Sequence, residues 1–95
     1  MPALGLGRQV DPGAGPARYV FAICAEQDPQ VMLRIAGLFA QRNIVPHQTC
    51  CRRSGHRLLV DLEVELDNAA AATLLVEKFR SMVMVERASL VEGKC

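Results

Sequence analysis

The chain has 95 residues, which fits one domain with a core small enough for association to help it. Eleven basic and ten acidic residues give a formal charge of +1 with no block of either sign, so nothing marks a footprint for nucleic acid or an anionic membrane. No apolar run reaches the ~20 residues of a transmembrane helix, and the first residues lack the basic start and apolar centre of a signal peptide. The four cysteines, at 24, 50, 51 and 95, do not make a disulfide framework, since two are adjacent and one is the last residue. A cytoplasmic protein with reduced thiols is expected.

The opening MPALGLGRQVDPGAGPAR holds three prolines and four glycines, and a disordered leader is expected over residues 1–16. The structured domain is then 17–92, with 93–95 a flexible C-terminus. RYVFAICA (18–25) is a continuous apolar run, the pattern of a central strand covered at least partly on both faces. Asp28 is a good helix N-cap and Pro29 suits the first helical position, where its missing N–H costs nothing. Apolar residues at 32, 35, 36 and 39, with Leu38 beside them, predict a helix from Pro29 to Arg42, and Asn43 follows where a left-handed terminating residue belongs.

VPHQTCC predicts a second strand, and HRLLVDLEVEL a third, in which Leu58, Val60, Leu62, Val64 and Leu66 alternate with mostly polar residues. Ser54-Gly55 between them predicts a tight hairpin that sets Arg53 opposite His56 and Cys51 opposite Leu58. Asp67 is expected to cap a second helix whose Ala71, Leu74, Leu75, Phe79 and Met82 share a face, and residues 83–91 close as a last strand. The order βαββαβ predicts an α+β, ferredoxin-like fold: a four-stranded antiparallel sheet with two helices on one face. Both rows of RYVFAICA are apolar and the helices cover only one, so the other row is expected to form a contact surface for a partner.

HQTCCRRSGH (47–56) concentrates two cysteines and two histidines, the densest set of reactive atoms in the chain. Adjacent strand residues point to opposite faces, so Cys50 and Cys51 do not both reach one zinc ion. His47 and Cys51 share a face but stand about 13 Å apart at ~3.3 Å per residue. Cys51 and Cys24 are instead expected to be small core residues. No glycine-rich phosphate loop, nucleophile elbow or zinc-helix motif occurs, and three Phe, one Tyr and no Trp do not furnish an RNA-stacking sheet. No catalytic residue, metal site or cofactor is expected, and the chain reads as a binding or assembly module.

The segments Met32-Leu33-Arg34-Ile35-Ala36-Gly37-Leu38-Phe39-Ala40-Gln41-Arg42-Asn43-Ile44 and Arg80-Ser81-Met82-Val83-Met84-Val85-Glu86-Arg87-Ala88, in this strand–helix order, resemble an ACT domain. They look most like the small, regulatory subunit of acetohydroxyacid synthase (acetolactate synthase), of the short valine-insensitive type. The resemblance implies a role in branched-chain amino-acid biosynthesis, by binding and activating a thiamine-diphosphate-dependent catalytic subunit without adding catalytic groups. It also implies a small amino acid at the loop that opens the first helix, here Gln27, Asp28, Gln30, Val31 and Met32. In amino-acid-binding members a glycine in that loop admits the ligand, whose carboxylate meets helix-start N–H groups. Here Gln30 stands at the glycine position, Pro29 removes one donor, and Asp28 competes for the others, so valine is expected to bind weakly. The alternative is a stand-alone amino-acid sensor acting on another protein. A homodimer is expected through the sheet edge at His47, Gln48, Thr49, Cys50 and Cys51, which carries no Lys or Pro to block pairing.

Overall fold

The computed structural model describes residues 16–91. The expected leader, apart from Pro16, and the C-terminal 93–95 lie outside the described residues. The elements are β1 (Ala17–Glu26), α1 (Pro29–Gln41), β2 (Gln48–Ser54), β3 (Arg57–Leu66), α2 (Ala69–Arg80) and β4 (Val85–Val91). The strands form one antiparallel sheet in the order β2-β3-β1-β4, the ferredoxin-like arrangement that the element order implies.

Tyr19, Phe21, Ile23 and Ala25 of β1 point toward the helices, opposite Val64, Leu62, Val60 and Leu58 of β3. They meet Val31, Ile35 and Phe39 of α1 and Ala72, Leu75, Val76 and Phe79 of α2 in one core. At its centre the Phe79 ring stands edge-on to Phe21 (5.4 Å between centroids, 77°) and to Phe39 (6.0 Å, 62°), the geometry in which a ring's positive rim meets a neighbour's negative face. The expected α2 face is rotated: Ala72 and Val76 are buried, whereas Leu74 is exposed.

The ends of α1 follow the sequence expectation. Asp28 is the N-cap, Pro29 opens the helix, and Asn43 takes a φ of 58°. Beyond the cap, Asn43 N–H donates to Ala40 O (3.2 Å) and Ile44 N–H to Phe39 O (2.9 Å), the paired bonds of a Schellman ending. At α2 the cap is Asn68, not Asp67: the chain is extended at Asn68, and its side-chain oxygen accepts from Ala71 N–H at 2.9 Å. An N-cap oxygen bonds the N–H two or three residues on, and the helix begins at Ala69, directly after Asn68, whose oxygen takes the third.

The hairpin differs from expectation by two residues. Ser54 pairs with Arg57, Arg53 with Leu58 and Cys51 with Val60, so the loop is Gly55-His56. Gly55 has φ +60° and His56 is not in the left-handed region, the pattern of a type II′ turn, which wants glycine first. A shift of two leaves every side chain on its expected face. Cys51 therefore still points to the helix side, but it is exposed rather than core, because β2 is an edge strand and the helices do not reach over it. Cys24 is buried as expected, though on the opposite face, in the row Val20, Ala22 and Cys24.

The candidate site on the loop before helix one

The five residues singled out between β1 and α1 do different things. Val31 is a fully buried core residue, and Met32 is half-buried on the helix flank. Asp28 Oδ1 accepts from Gln30 N–H at 2.8 Å, and Val31 N–H donates to Asp28 O at 3.0 Å. Pro29 has no N–H to offer. The first turn of α1 thus has its donors bonded to its own cap residue, and the cap carries a negative charge where a ligand carboxylate would sit.

Gln27 faces away from the helix start and ties the loop to the β2–β3 turn. Its Nε2 donates to Gly55 O (2.7 Å) and Arg57 O (3.1 Å), while its Oε1 accepts from Arg53 Nε (3.2 Å). Both N–H donors of the amide and one of the two lone pairs on its oxygen are used. These contacts join residues 26 to 30 positions apart, so no local signal in the sequence announces them. Glu26 N–H donates to Met84 O at 3.0 Å, which anchors the other side of the same loop to the α2–β4 connection.

Of the predicted set, Met32 faces a cavity. A groove of about 490 Å³ runs between α1 and β2, lined chiefly by Met32, Ala36, Phe39, Val45, Thr49 and Leu62. The structure therefore brings one residue of the loop set and one of the edge set, Thr49, onto the same apolar wall. Val45, 85% exposed, stands at its mouth. His47 precedes β2: its N–H donates to Glu63 O at 2.8 Å, and its Nε2 lies 3.3 Å from Glu65 Oε1. Gln48, Thr49, Cys50 and Cys51 lie on the outer strand of the sheet. Among the described residues no three His, Cys, Asp or Glu side chains gather as a metal-binding group, and no helix is long and apolar enough to cross a membrane.

The sequence profile of the ACT-like domain family matches residues 14–93. The chain belongs to that family. ACT domains are regulatory rather than catalytic, and typically bind amino acids. The fold is similar to the solution NMR structure of the ACT domain from GTP pyrophosphokinase of Chlorobium tepidum, with a TM-score of 0.72 and 14% identity, over 82% of this chain and 89% of that one. The crystal structure of the same domain gives 0.70 and 14%, over 80% of this chain and 99% of that one. At this identity the likeness concerns the fold alone. No curated protein sequence matches the chain.

Proposed function

We propose that this ACT-like domain is the non-catalytic small subunit of acetohydroxyacid synthase, acting as a dimer that binds and activates the catalytic subunit. The resemblance of segments 32–44 and 80–88 supports the choice of enzyme. The observation that carries the activating role over a sensing one is the loop before α1. Its helix-start donors are bonded to Asp28, and Gln27 is bonded to the hairpin, so an amino-acid carboxylate would have to displace both. Displacing a charged cap costs about 0.5–2 kcal/mol before any ligand contact forms.

The edge chemistry supports a dimer through β2. On the opposite edge, Arg80 of α2 donates from Nε to Ala88 O of β4 at 2.8 Å, occupying a backbone acceptor that a second strand would need. β2 carries no such cap among the described residues, nor any Lys or Pro within Gln48–Ser54. Pairing there would also close the apolar groove beside α1. The test is co-migration with the catalytic subunit in gel filtration at micromolar concentration. A joint peak whose mass exceeds that of either protein supports the proposal, and separate elution at every mixing ratio rejects it.

The amino-acid sensor remains the second reading because of the groove. Its volume of about 490 Å³ falls within the ~300–1,000 Å³ of small-molecule sites, and Met32 connects it to the loop. Saturable binding of an amino acid without any catalytic partner would favour that reading.

A further inference from the structure

We propose that the open face of the sheet, opposite the helices, is a binding site for a small organic dianion with an apolar body, held between Arg52 and Arg87. Pairing across the four strands sets Arg52, Leu59, Cys24 and Arg87 in a single row, from β2 through β3 and β1 to β4. The next row is Cys50, Asp61, Ala22 and Ser89. Apart from Cys50, these two rows line a cavity of about 730 Å³, the size of a small-molecule site, with Ala22, Cys24 and Leu59 as an apolar floor.

A bulge puts Arg87 there. Ala25 pairs with Val85 but Cys24 with Arg87, so Glu86 is the extra residue and the strand's alternation slips by one. Val85 and Ala88 both turn into the core, while Glu86 and Arg87 both reach the open side.

The other charges of the cavity are already committed. Glu86 accepts from Arg57 Nε at 2.7 Å, a contact that raises the Arg57 pKa further above its ordinary value. Arg80 is held by Ala88 O at 2.8 Å and by Glu77 Oε2 at 3.1 Å. Asp61, the other acid of the lining, is itself engaged, and Glu63 in the row beyond is paired with Arg18 at 3.0 Å. Arg52 and Arg87 are the lining guanidiniums with no partner among the described residues.

Three strand spacings of ~4.8 Å separate their Cα atoms by about 14 Å, with Leu59 and Cys24 between. That spacing suits one anionic group on each guanidinium, which grips a carboxylate with parallel N–H bonds, and a hydrocarbon linker lying on the floor. An α,ω-dicarboxylate has this chemistry. The site lies on the face away from the α1–β2 groove and does not depend on the function proposed above.

The test is a ¹H–¹⁵N NMR titration of the full chain with suberate, with octanoate as the singly charged control. The expected result is saturable movement of the Ala22, Cys24, Leu59 and Ser89 amides with a dissociation constant at or below about 1 mM. Octanoate should bind at least tenfold more weakly. Arg52→Gln and Arg87→Gln should each weaken suberate at least tenfold, about 1.4 kcal/mol, and both substitutions are at exposed positions that the core does not use. No saturable shift up to about 10 mM would overturn the proposal. So would equal binding of octanoate, or undiminished suberate binding in the double variant R52Q/R87Q.

Discussion

Asp28 separates the two jobs of the loop before α1, because its carboxylate caps the helix and, in the function proposed above, repels an anion. Asp28→Ala removes the 2.8 Å bond to Gln30 N–H, and an N-cap lost to alanine costs about 0.5–2 kcal/mol, typically ~1. For a domain of this size ~1 kcal/mol lowers the melting temperature by about 4–8 °C. Asp28→Asn keeps a side-chain acceptor at the same place and removes only the charge, so its melting temperature should stay within about 2 °C of the parent, since Asn and Asp cap about equally well. Neither variant should gain useful affinity for valine. Each leaves Val31 N–H on the backbone oxygen of residue 28 and Pro29 without a donor, so at most one N–H is released. A bond from one N–H to a charged group contributes about 1.5–3 kcal/mol, well short of the ~5.5 kcal/mol that a 100 μM dissociation constant represents. The assay is a thermal melt followed by circular dichroism, with and without excess valine. Equal melting of D28A and D28N would refute the capping argument. A valine-dependent rise in either variant that matches tight binding would refute the donor count.

Other consequences are open to direct measurement. Phe79→Leu loses two edge-on ring contacts of about 0.5–1.5 kcal/mol each, and urea denaturation should show a loss of about 1–3 kcal/mol; a loss under ~0.5 would contradict the packing described. Glu63 is 4% exposed with Arg18 as its ion-pair partner, so Arg18→Ala should destabilise more than Glu63→Gln, and the double variant should recover part of the loss; simple additivity in the cycle would show that the carboxylate is not stranded. Thr49→Pro on β2 removes an edge N–H and should turn the proposed dimer into a folded monomer by light scattering, whereas a monomeric parent protein at micromolar concentration would remove the dimer altogether. Gln30→Gly alone should not bring valine binding below about 100 μM, by calorimetry, because Pro29 and Asp28 remain.

The parts of this structure that could be read from the chain are those whose causes are local. Asp28-Pro29 and Asn43 mark the ends of α1 through their own backbone preferences, and the alternation from Leu58 to Leu66 marks the buried face of β3. What escaped reading depends on competition or distance. Asp67 and Asn68 are both capable caps, and only the path of the chain from β3 decides between them. Ser54-Gly55 and Gly55-His56 are both possible two-residue loops, and the turn geometry that wants glycine first selects the second. Cys51 alternates correctly, yet exposure depends on how far α1 reaches across the sheet, which no stretch of sequence encodes by itself. The bulge at Glu86 and the latch of Gln27 on Gly55 and Arg57 arise from pairings between distant strands, and they shape both candidate sites.

In the function proposed above, this domain activates a catalytic subunit and does not itself read valine. This is tested most directly by titrating the protein into purified acetohydroxyacid synthase catalytic subunit and following turnover, with and without valine. A saturable rise in activity, of the same size in both series, is the expected result. A flat titration, or a rise that valine abolishes, would contradict it.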